Sequence, residues 1–581
     1  MGPVARRRVL LSGGPYDSLA DYTASGGGEG VRIAAQLGPA GVLDEVELSG
    51  LRGRGGAGFP TGVKWRSIAA GGEAEGERFV VANGAEGEPG TFKDRFLLRH
   101  NPYQLVEGLL IAARAVGARR AFIALKRSFA AEADRVTRAV AEIDEAGWAP
   151  EVSIELVAGP DEYLFGEEKG LLEVIEGEEP LPRIFPPYIY GLFTTSPQMG
   201  WSASRTLGDS MPMASNPTLV NNVETLSTIP TIVREGGEWF RSLGTPESPG
   251  TIICTVSGDT VRHGVEEFEM GTPLSEVLTA LGGGMASGRA VKYVLSGVAN
   301  PVLPGDMVDA AVSYEGLEAA GSGLGSAGFM VFDERTDPTE LALAVSRFLW
   351  VESCGQCPPC KLGCEYVTAT LESMLVGEGS SDDLVVLKAR LATVTDAARC
   401  YLPTQEQRVI ASLVPAIGDP DQRGVLRNLA ITKLVDLVDG RFVSDERQRF
   451  KLADWTYGDP ATVNPPRLPP QEETSSGTIE ALRTAGFVED FEIDDGAITW
   501  HSAGRQAATP ERFLAAGSYR FEGVSDPDYE EIVVALRNRD SGANGVLVVA
   551  FGPYASAGEA EVLSRLPRAA AGPPDGGAQA G

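Results

Sequence analysis

Phe79-Val-Val-Ala-Asn-Gly-Ala-Glu-Gly-Glu-Pro-Gly-Thr-Phe-Lys-Asp94 changes character halfway along. Phe79 to Ala82 is an unbroken apolar run, as expected of a strand buried on both faces. Asn83 to Gly90 is rich in glycine and acid, which marks a loop at the end of that strand. The same grammar repeats outward. Ala121-Phe-Ile-Ala-Leu125 and Val152 to Val157 read as further buried strands. Tyr103 to Val116 and Ser128 to Glu145 read as amphipathic helices between them. Such alternation predicts an α/β domain with a largely parallel sheet, whose ligands bind beyond the carboxyl ends of its strands. Asn83 to Asp94 falls at such an end. Tyr163-Leu-Phe-Gly-Glu-Glu168 also follows a strand, and Asn221-Asn-Val-Glu-Thr225 opens a helix-like run. Asn, Glu and Thr there suit ribityl hydroxyls, a flavin edge or a carboxamide, although each type also serves turns and caps.

Upstream lies Gly53-Arg-Gly-Gly-Ala-Gly-Phe-Pro-Thr-Gly-Val-Lys-Trp65. Gly53, Gly55 and Gly58 formally satisfy GxGxxG. The ordinary dinucleotide fingerprint needs a preceding strand and a ribose-reading acid about 20 residues on, and neither is evident. Backbone without side chains still admits phosphates and a flat ring, and Lys64 can add charge.

Six cysteines occur in the chain, three of them in Glu352-Ser-Cys-Gly-Gln-Cys-Pro-Pro-Cys360. A Cys-x2-Cys-x2-Cys run wraps three thiolates around one face of a [4Fe–4S] cube. Structural zinc takes separated pairs, so the triplet argues for iron and sulfide. Cys364 and Cys400 compete for the fourth position. Cys400 is favoured, because the fourth cysteine of the contiguous ferredoxin spacing serves a second cluster and no second triplet exists here. Cys254, within Thr251-Ile-Ile-Cys-Thr-Val256, reads as strand core.

At 581 residues, several domains are expected. A net charge of −30 argues against nucleic acid or an anionic membrane surface as a direct partner. Few, clustered cysteines point to a reducing compartment. No run approaches the roughly 20 apolar residues of a membrane span, so no direct membrane insertion is expected. Short strands with Gly/Pro turns from Gly250 to Val331 suggest a small β-rich domain, and Thr339 to Ala411 reads as helical apart from the cysteine loop. Pro/Thr/Glu/Ser-rich 451–477 reads as a linker, 478–567 as a C-terminal α+β module, and 568–581 as a disordered tail.

Taken together, these segments resemble one family closely: the NADH-binding flavoprotein subunit of respiratory complex I, with the related diaphorase subunits of hydrogenases and formate dehydrogenases. The likeness runs from about Arg8 to Tyr457 in the family's motif order. It implies a multidomain α/β protein: a Rossmann-like FMN-binding α/β domain over 1–240, a ubiquitin-like β-grasp domain over 245–333, and a helical bundle with an iron–sulfur cluster over 334–450. It further implies that Gly53, Gly55, Gly56, Lys64, Asn83, Glu86, Tyr163, Glu167, Glu168, Asn221, Asn222 and Thr225 hold FMN. Phe59, Glu88 and the Glu167–Glu168 pair would face NAD(H) as substrate, and Cys354, Cys357, Cys360 and Cys400 would hold the [4Fe–4S] cluster. The implied reaction is hydride transfer from NADH to FMN, then single electrons to the cluster and a partner. No side chain acts as a catalytic acid or base, and His100, His263 and His501 read as incidental. The implied partners are a thioredoxin-like [2Fe–2S] subunit and further redox subunits of a larger complex. The implied location is cytoplasmic, with any membrane attachment made through those partners.

The chain also departs from the family pattern. Ala85 replaces a carboxylate, Phe185 stands where lysine is usual, Tyr188 is the aromatic after the prolines, and Lys169-Gly170 replaces Thr-Ala. About 20 extra residues occupy Thr194 to Ser215. These changes keep a second function open: a flavo-iron–sulfur relay fed by another protein, without NADH oxidation of its own. The C-terminal module, with Tyr519-Arg-Phe-Glu-Gly523 and Gly545-Val-Leu-Val-Val-Ala550, resembles a small family of unknown function and reads as a docking or stabilising appendage.

Overall fold

The computed structural model describes residues 7–71, 76–194, 216–377, 379–427, 429, 431, 435–438, 441–444, 474–485, 487–494, 496–500, 506–522, 530–538, 543–550 and 557–566. The extra loop at 195–215, most of the 451–477 segment, His501 and the 568–581 tail lie outside them. Contacts divide the chain into two units, Met1–Asp445 and Glu446–Gly581.

In the first unit, β1 (Phe79–Gly84), β2 (Arg120–Lys126), β3 (Ser153–Gly159) and β4 (Thr218–Asn222) form one parallel sheet in the order β3-β2-β1-β4. β1 and β2 are buried along nearly their whole length, which is why their sequences do not alternate. Helix Pro102–Val116 illustrates how local sequence sets the boundaries. The Asn101 side chain accepts the Gln104 N–H, proline occupies the first turn, and Gly117 ends the helix at φ +77°. It packs between helices Glu29–Ser49 and Val223–Glu235. A Cβ at Gly108 would lie 1.9 Å from the Leu226 carbonyl oxygen, so only glycine permits that crossing.

From β1 the chain steps to β2 and β3 on one side and returns to β4 on the other. The topological switch therefore lies between β1 and β4, where α/β sheets open a ligand crevice. Asn83 and Asn222 pair in register at that point. The Gly53–Gly58 loop lies between helices Glu29–Ser49 and Thr61–Ala70 and follows no strand, so it is not the ordinary dinucleotide turn.

A second sheet contains β5 (Thr251–Gly258), β6 (Gly264–Glu269), β7 (Val291–Ser296), β8 (Leu303–Pro304) and β9 (Gly328–Asp333). Its order is β6-β5-β9-β7-β8, with β5 and β9 parallel and helix Leu274–Gly282 between β6 and β7, a β-grasp arrangement. Cys254 is fully buried in β5. Helices Pro338–Glu352, Pro358–Leu375, Ser381–Thr393 and Leu402–Leu413 follow. Two short strands, β10 (Val435–Val438) and β11 (Arg441–Ser444), then pair antiparallel, beyond the Thr339–Ala411 stretch read as helical but within the 334–450 domain expected to be a helical bundle.

The second unit holds a six-stranded sheet, β14-β13-β12-β17-β16-β15. The strands are β12 (Glu489–Asp494), β13 (Ala497–Trp500), β14 (Gln506–Ala508), β15 (Phe513–Glu522), β16 (Glu530–Asn538) and β17 (Asn544–Ala550), with helices Ser475–Thr484 and Ala557–Arg565. Its first helix starts at Ser475, capped by Thr474, inside the stretch predicted as linker. No helix among the described residues is long and apolar enough to cross a membrane.

Candidate functional site

The glycine loop is pinched shut at its base. Thr61 N–H donates to Leu51 O at 2.9 Å and Gly53 N–H to Phe59 O at 2.9 Å. Arg54 N–H donates to Thr225 Oγ1 at 2.8 Å, and its guanidinium reaches Pro249 O at 3.1 Å and Thr251 O at 2.9 Å. The loop is thus fixed to helix Val223–Glu235 and to β5. The glycines fall into two kinds. Gly58 has φ +62°, and a Cβ there would lie 2.3 Å from the Tyr314 ring, whose hydroxyl donates to Gly53 O at 2.8 Å. A Cβ on Gly53 would meet nothing nearer than 3.6 Å, and one on Gly56 nothing nearer than 3.9 Å. Packing against the protein explains Gly58. Gly56 is held at φ +117°, a backbone that itself favours glycine. Both Gly53 and Gly56 have only ordinary contacts where a Cβ would go, so their bare backbone is free to meet a flat ligand such as a flavin.

Opposite stand the ends of β1 and β4. Asn83 Nδ2 donates to Gly166 O at 2.9 Å, and Asn221 Oδ1 accepts Trp65 Nε1 at 2.8 Å. Asn222 caps its helix by accepting Glu224 N–H at 3.0 Å, takes Lys93 Nζ at 3.2 Å and donates to Asp94 Oδ2 at 2.6 Å. Lys93 is itself buried between Asp94 and Glu224, each at 2.8 Å. Burial opposes its charge, but Asp94, Glu224 and Glu86 together raise its pKa above the ordinary lysine value. Glu86 accepts Asp94 N–H at 2.9 Å and so caps helix Lys93–His100. Several predicted flavin residues therefore have polar atoms committed to the frame. Lys93 and Asp94 lie in the Asn83–Asp94 segment expected at the site but were not themselves expected to take part in it.

The acidic side is a junction between domains. Tyr163 Oη donates to Glu88 Oε2 at 2.6 Å and accepts Gln405 Nε2 at 2.5 Å, while Tyr163 N–H donates to Glu352 Oε2 at 2.9 Å. Glu88 also accepts Val298 N–H at 2.6 Å. Burial pushes the Glu88 carboxyl up, against these hydrogen bonds. Glu167 caps helix Glu168–Ile175 through Lys169 N–H at 2.9 Å and Gly170 N–H at 3.1 Å, and burial pushes it up to about 7. Lys64 and Glu168 pair at 2.6 Å. Phe59 is 53% exposed, with its ring available to a second planar group. Phe185 packs edge-on against Tyr190, 5.1 Å between centroids. Glu352 opens the cysteine motif but was not expected to reach Tyr163, and Gln405 gave no local signal in the sequence.

Cys354 and Cys357 are half-buried on the loop after helix Pro338–Glu352, Cys360 is buried at the start of the next helix, and half-buried Cys400 precedes helix Leu402–Leu413. The thiols of Cys357 and Cys400 both feel Cys354 and Cys360, so these four sulfurs share one neighbourhood. Burial pushes both pKa values up, a bias that iron would overcome by displacing the proton. Among the described residues no three His, Cys, Asp or Glu side chains are gathered as for a single metal ion. The Cys-x2-Cys-x2-Cys spacing, rather than separated pairs, is what suits a cube whose thiolates are spread over four irons. Cys364 is fully buried one turn beyond Cys360 and hydrogen-bonded to it, both thiols being free.

Comparison with known proteins agrees with this geometry. Residues 46–231 match the Nuo51 FMN-binding domain, and 340–417 match the NADH-ubiquinone oxidoreductase-F iron-sulfur binding region. One of the NADH-quinone oxidoreductase F subunits of Rhizobium meliloti, its second, is 36% identical over 399 residues, covering 66% of this chain and 89% of that one. The HndC subunit of the NADP-reducing hydrogenase of Solidesulfovibrio fructosivorans is 35% identical over 395 residues, covering 66% and 76%. The crystal structure of an NAD+-reducing [NiFe]-hydrogenase in its H2-reduced state superimposes with a TM-score of 0.59 at 33% identity, over 71% of this chain. This chain spans 65% of that hydrogenase chain, just under two thirds. With both cofactor-binding regions matched and most of a curated relative covered, the chain belongs to the family of NADH-quinone oxidoreductase F subunits, with that family's FMN-binding and [4Fe–4S]-binding regions.

Proposed function

We propose that the chain is the NADH-oxidising subunit of a larger redox assembly and passes electrons to a thioredoxin-like [2Fe–2S] subunit and further redox subunits. The observation that carries this reading is the junction at Tyr163. One side chain bonds Glu88, from the loop after β1, and Gln405, on the helix that follows Cys400, which supports a short path between the flavin crevice and the cysteines. Lys169 adds a second tie, donating to the carbonyl of Arg399, the neighbour of Cys400. When bound, FMN accepts two electrons as hydride and releases them singly, and a [4Fe–4S] cluster carries one at a time.

The chain's own residues bind and orient. Gly53, Gly55 and Gly56 admit the ligand to the backbone, and Lys64 supplies charge to a phosphate once Glu168 yields it. Asn83, Asn221, Asn222, Glu86 and Thr225 hold the crevice open at fixed width. Phe59 offers a stacking face to the nicotinamide nucleotide, and Glu88, Glu167 and Glu168 line its acidic side. Cys354, Cys357, Cys360 and Cys400 hold the cluster.

Anaerobic titration of FMN- and cluster-loaded protein with NADH, followed optically, tests the donor. NADH is expected to bleach the flavin and then the cluster, and to support ferricyanide reduction. Phe185, packed on Tyr190 where the family has lysine, favours the second reading of a protein-fed relay. That reading prevails if millimolar NADH leaves a fully loaded flavin oxidised while dithionite reduces it.

A further inference from the structure

We propose that Gln356 raises the reduction potential of the iron–sulfur centre by donating an N–H···S hydrogen bond to the Cys354 thiolate. The proposal rests on Cys354, Cys357, Cys360 and Cys400 being the cluster ligands. Gln356 sits between two of them, and both ends of its amide are engaged. Oε1 accepts Arg399 Nη1 at 3.0 Å. Nε2 donates to Pro182 O at 3.2 Å and faces Cys354 Sγ at 3.6 Å.

The orientation of an amide is often ambiguous, because its oxygen and nitrogen exchange places on a flip. Here the flip is forbidden by chemistry. A guanidinium only donates and a peptide carbonyl only accepts, so the oxygen must face Arg399 and the nitrogen must face Pro182. The remaining amide proton is left for the sulfur. Arg399 is held in turn: its backbone N–H bonds Cys357, and its carbonyl accepts Lys169 Nζ. Gln356 is therefore clamped from two sides, with its donor aimed at a ligand sulfur.

Reduction adds one electron to the cluster, and part of that charge falls on the thiolates. A donor to sulfur stabilises the reduced form more than the oxidised form, so it raises the potential. The electron comes from the reduced flavin, and the amide keeps both protons. A purely structural Gln356, tying Pro182 to Arg399, would affect stability without moving the potential.

The test uses the full chain, loaded anaerobically with FMN, iron and sulfide, in redox titrations followed by EPR. Gln356→Met keeps the side-chain length and removes the donor. At wild-type iron and sulfide content it is expected to lower the midpoint by an amount equal to a tenfold change in the oxidised-to-reduced ratio, about 59 mV for one electron. ENDOR of the reduced wild type with side-chain 15N-labelled glutamine should show a nitrogen coupled to the cluster. Equal midpoints for wild type and fully loaded Q356M would overturn the tuning role alone. Should Q356M not load, absence of that nitrogen coupling in the wild type overturns it instead. Wild-type protein that takes up no cluster overturns the ligand assignment, and this proposal with it.

Discussion

Cys400 and Cys364 differ in what their sulfurs meet. Cys400 feels Cys354 and Cys360 across a loop, whereas Cys364 is sealed in its helix with its hydrogen bond directed at Cys360. Cys400→Ser is therefore expected to abolish or strongly perturb the cluster, and Cys364→Ser to leave iron and sulfide content unchanged, as read by metal analysis and EPR. The reverse result would reassign the fourth ligand. Phe185 permits a second expectation. A lost charge-assisted phosphate contact is worth about 1.5–3 kcal/mol, so Phe185→Lys should tighten NADH by roughly 10- to 150-fold, less what the Tyr190 contact contributed. Stopped-flow reduction against NADH concentration reads this, and an unchanged or weaker affinity would place the phosphates elsewhere. The cysteine triplet was legible because its geometry is written in adjacent residues. Gln356 was not, because its partners Pro182 and Arg399 lie 174 and 43 residues away in the chain.

Two glycines five positions apart in the flavin loop do different jobs, which makes the loop testable as an element. Gly58 holds φ +62° with Tyr314 where a Cβ would go. Gly58→Ala should therefore cost on the order of 1–3 kcal/mol of stability from the backbone alone, seen as a lowered Tm with or without flavin. Gly53→Ala adds a Cβ at ordinary contact distance, 3.6 Å from Phe59 O. The apoprotein should tolerate it, while FMN retention on gel filtration falls. If Gly53→Ala holds FMN as well as the wild type does, the ligand does not lie against that face. At this scale the sequence revealed the buried strands β1 and β2 and the presence of β3, but β3 was expected to be buried and instead lies at the sheet edge, exposed or half-buried along all but its last residue. The sequence showed β4 only as the start of a helix-like run. Thr218–Asn222 is short and half polar, and becomes a strand by pairing with β1 in register. The β10–β11 pair was hidden for a similar reason, being two four-residue strands that stabilise each other.

Across the whole molecule, the chemistry is confined to one unit. Every cysteine lies at or before Cys400, and the loop and both Asn/Glu segments precede it. That unit is closed on itself by long-range polar ties. Buried Glu267 accepts the N–H groups of Val9, Leu10 and Leu11, each at 2.8–3.1 Å, and Glu224 joins helix Val223–Glu235 to β5 through Ile253 N–H at 2.8 Å. Arg427 meets Asp259 at 2.9 Å, and its N–H reaches Glu340 at 2.8 Å, fastening the segment beyond the helices to the β-grasp domain and the first helix. The second unit has a core of its own, in which Phe491, Trp500 and Phe513 meet edge-on at 5.2–5.8 Å. A chain lacking 446–581 is therefore expected to keep full FMN, iron and sulfide content and NADH–ferricyanide activity. The isolated 474–566 segment should unfold cooperatively while binding neither flavin nor iron. Cofactor analysis of the truncated chain, with thermal unfolding of the isolated segment, checks both halves. Loss of FMN or cluster on truncation would give the C-terminal unit a part in building the site, although it has no cysteine and none of the loop's glycines.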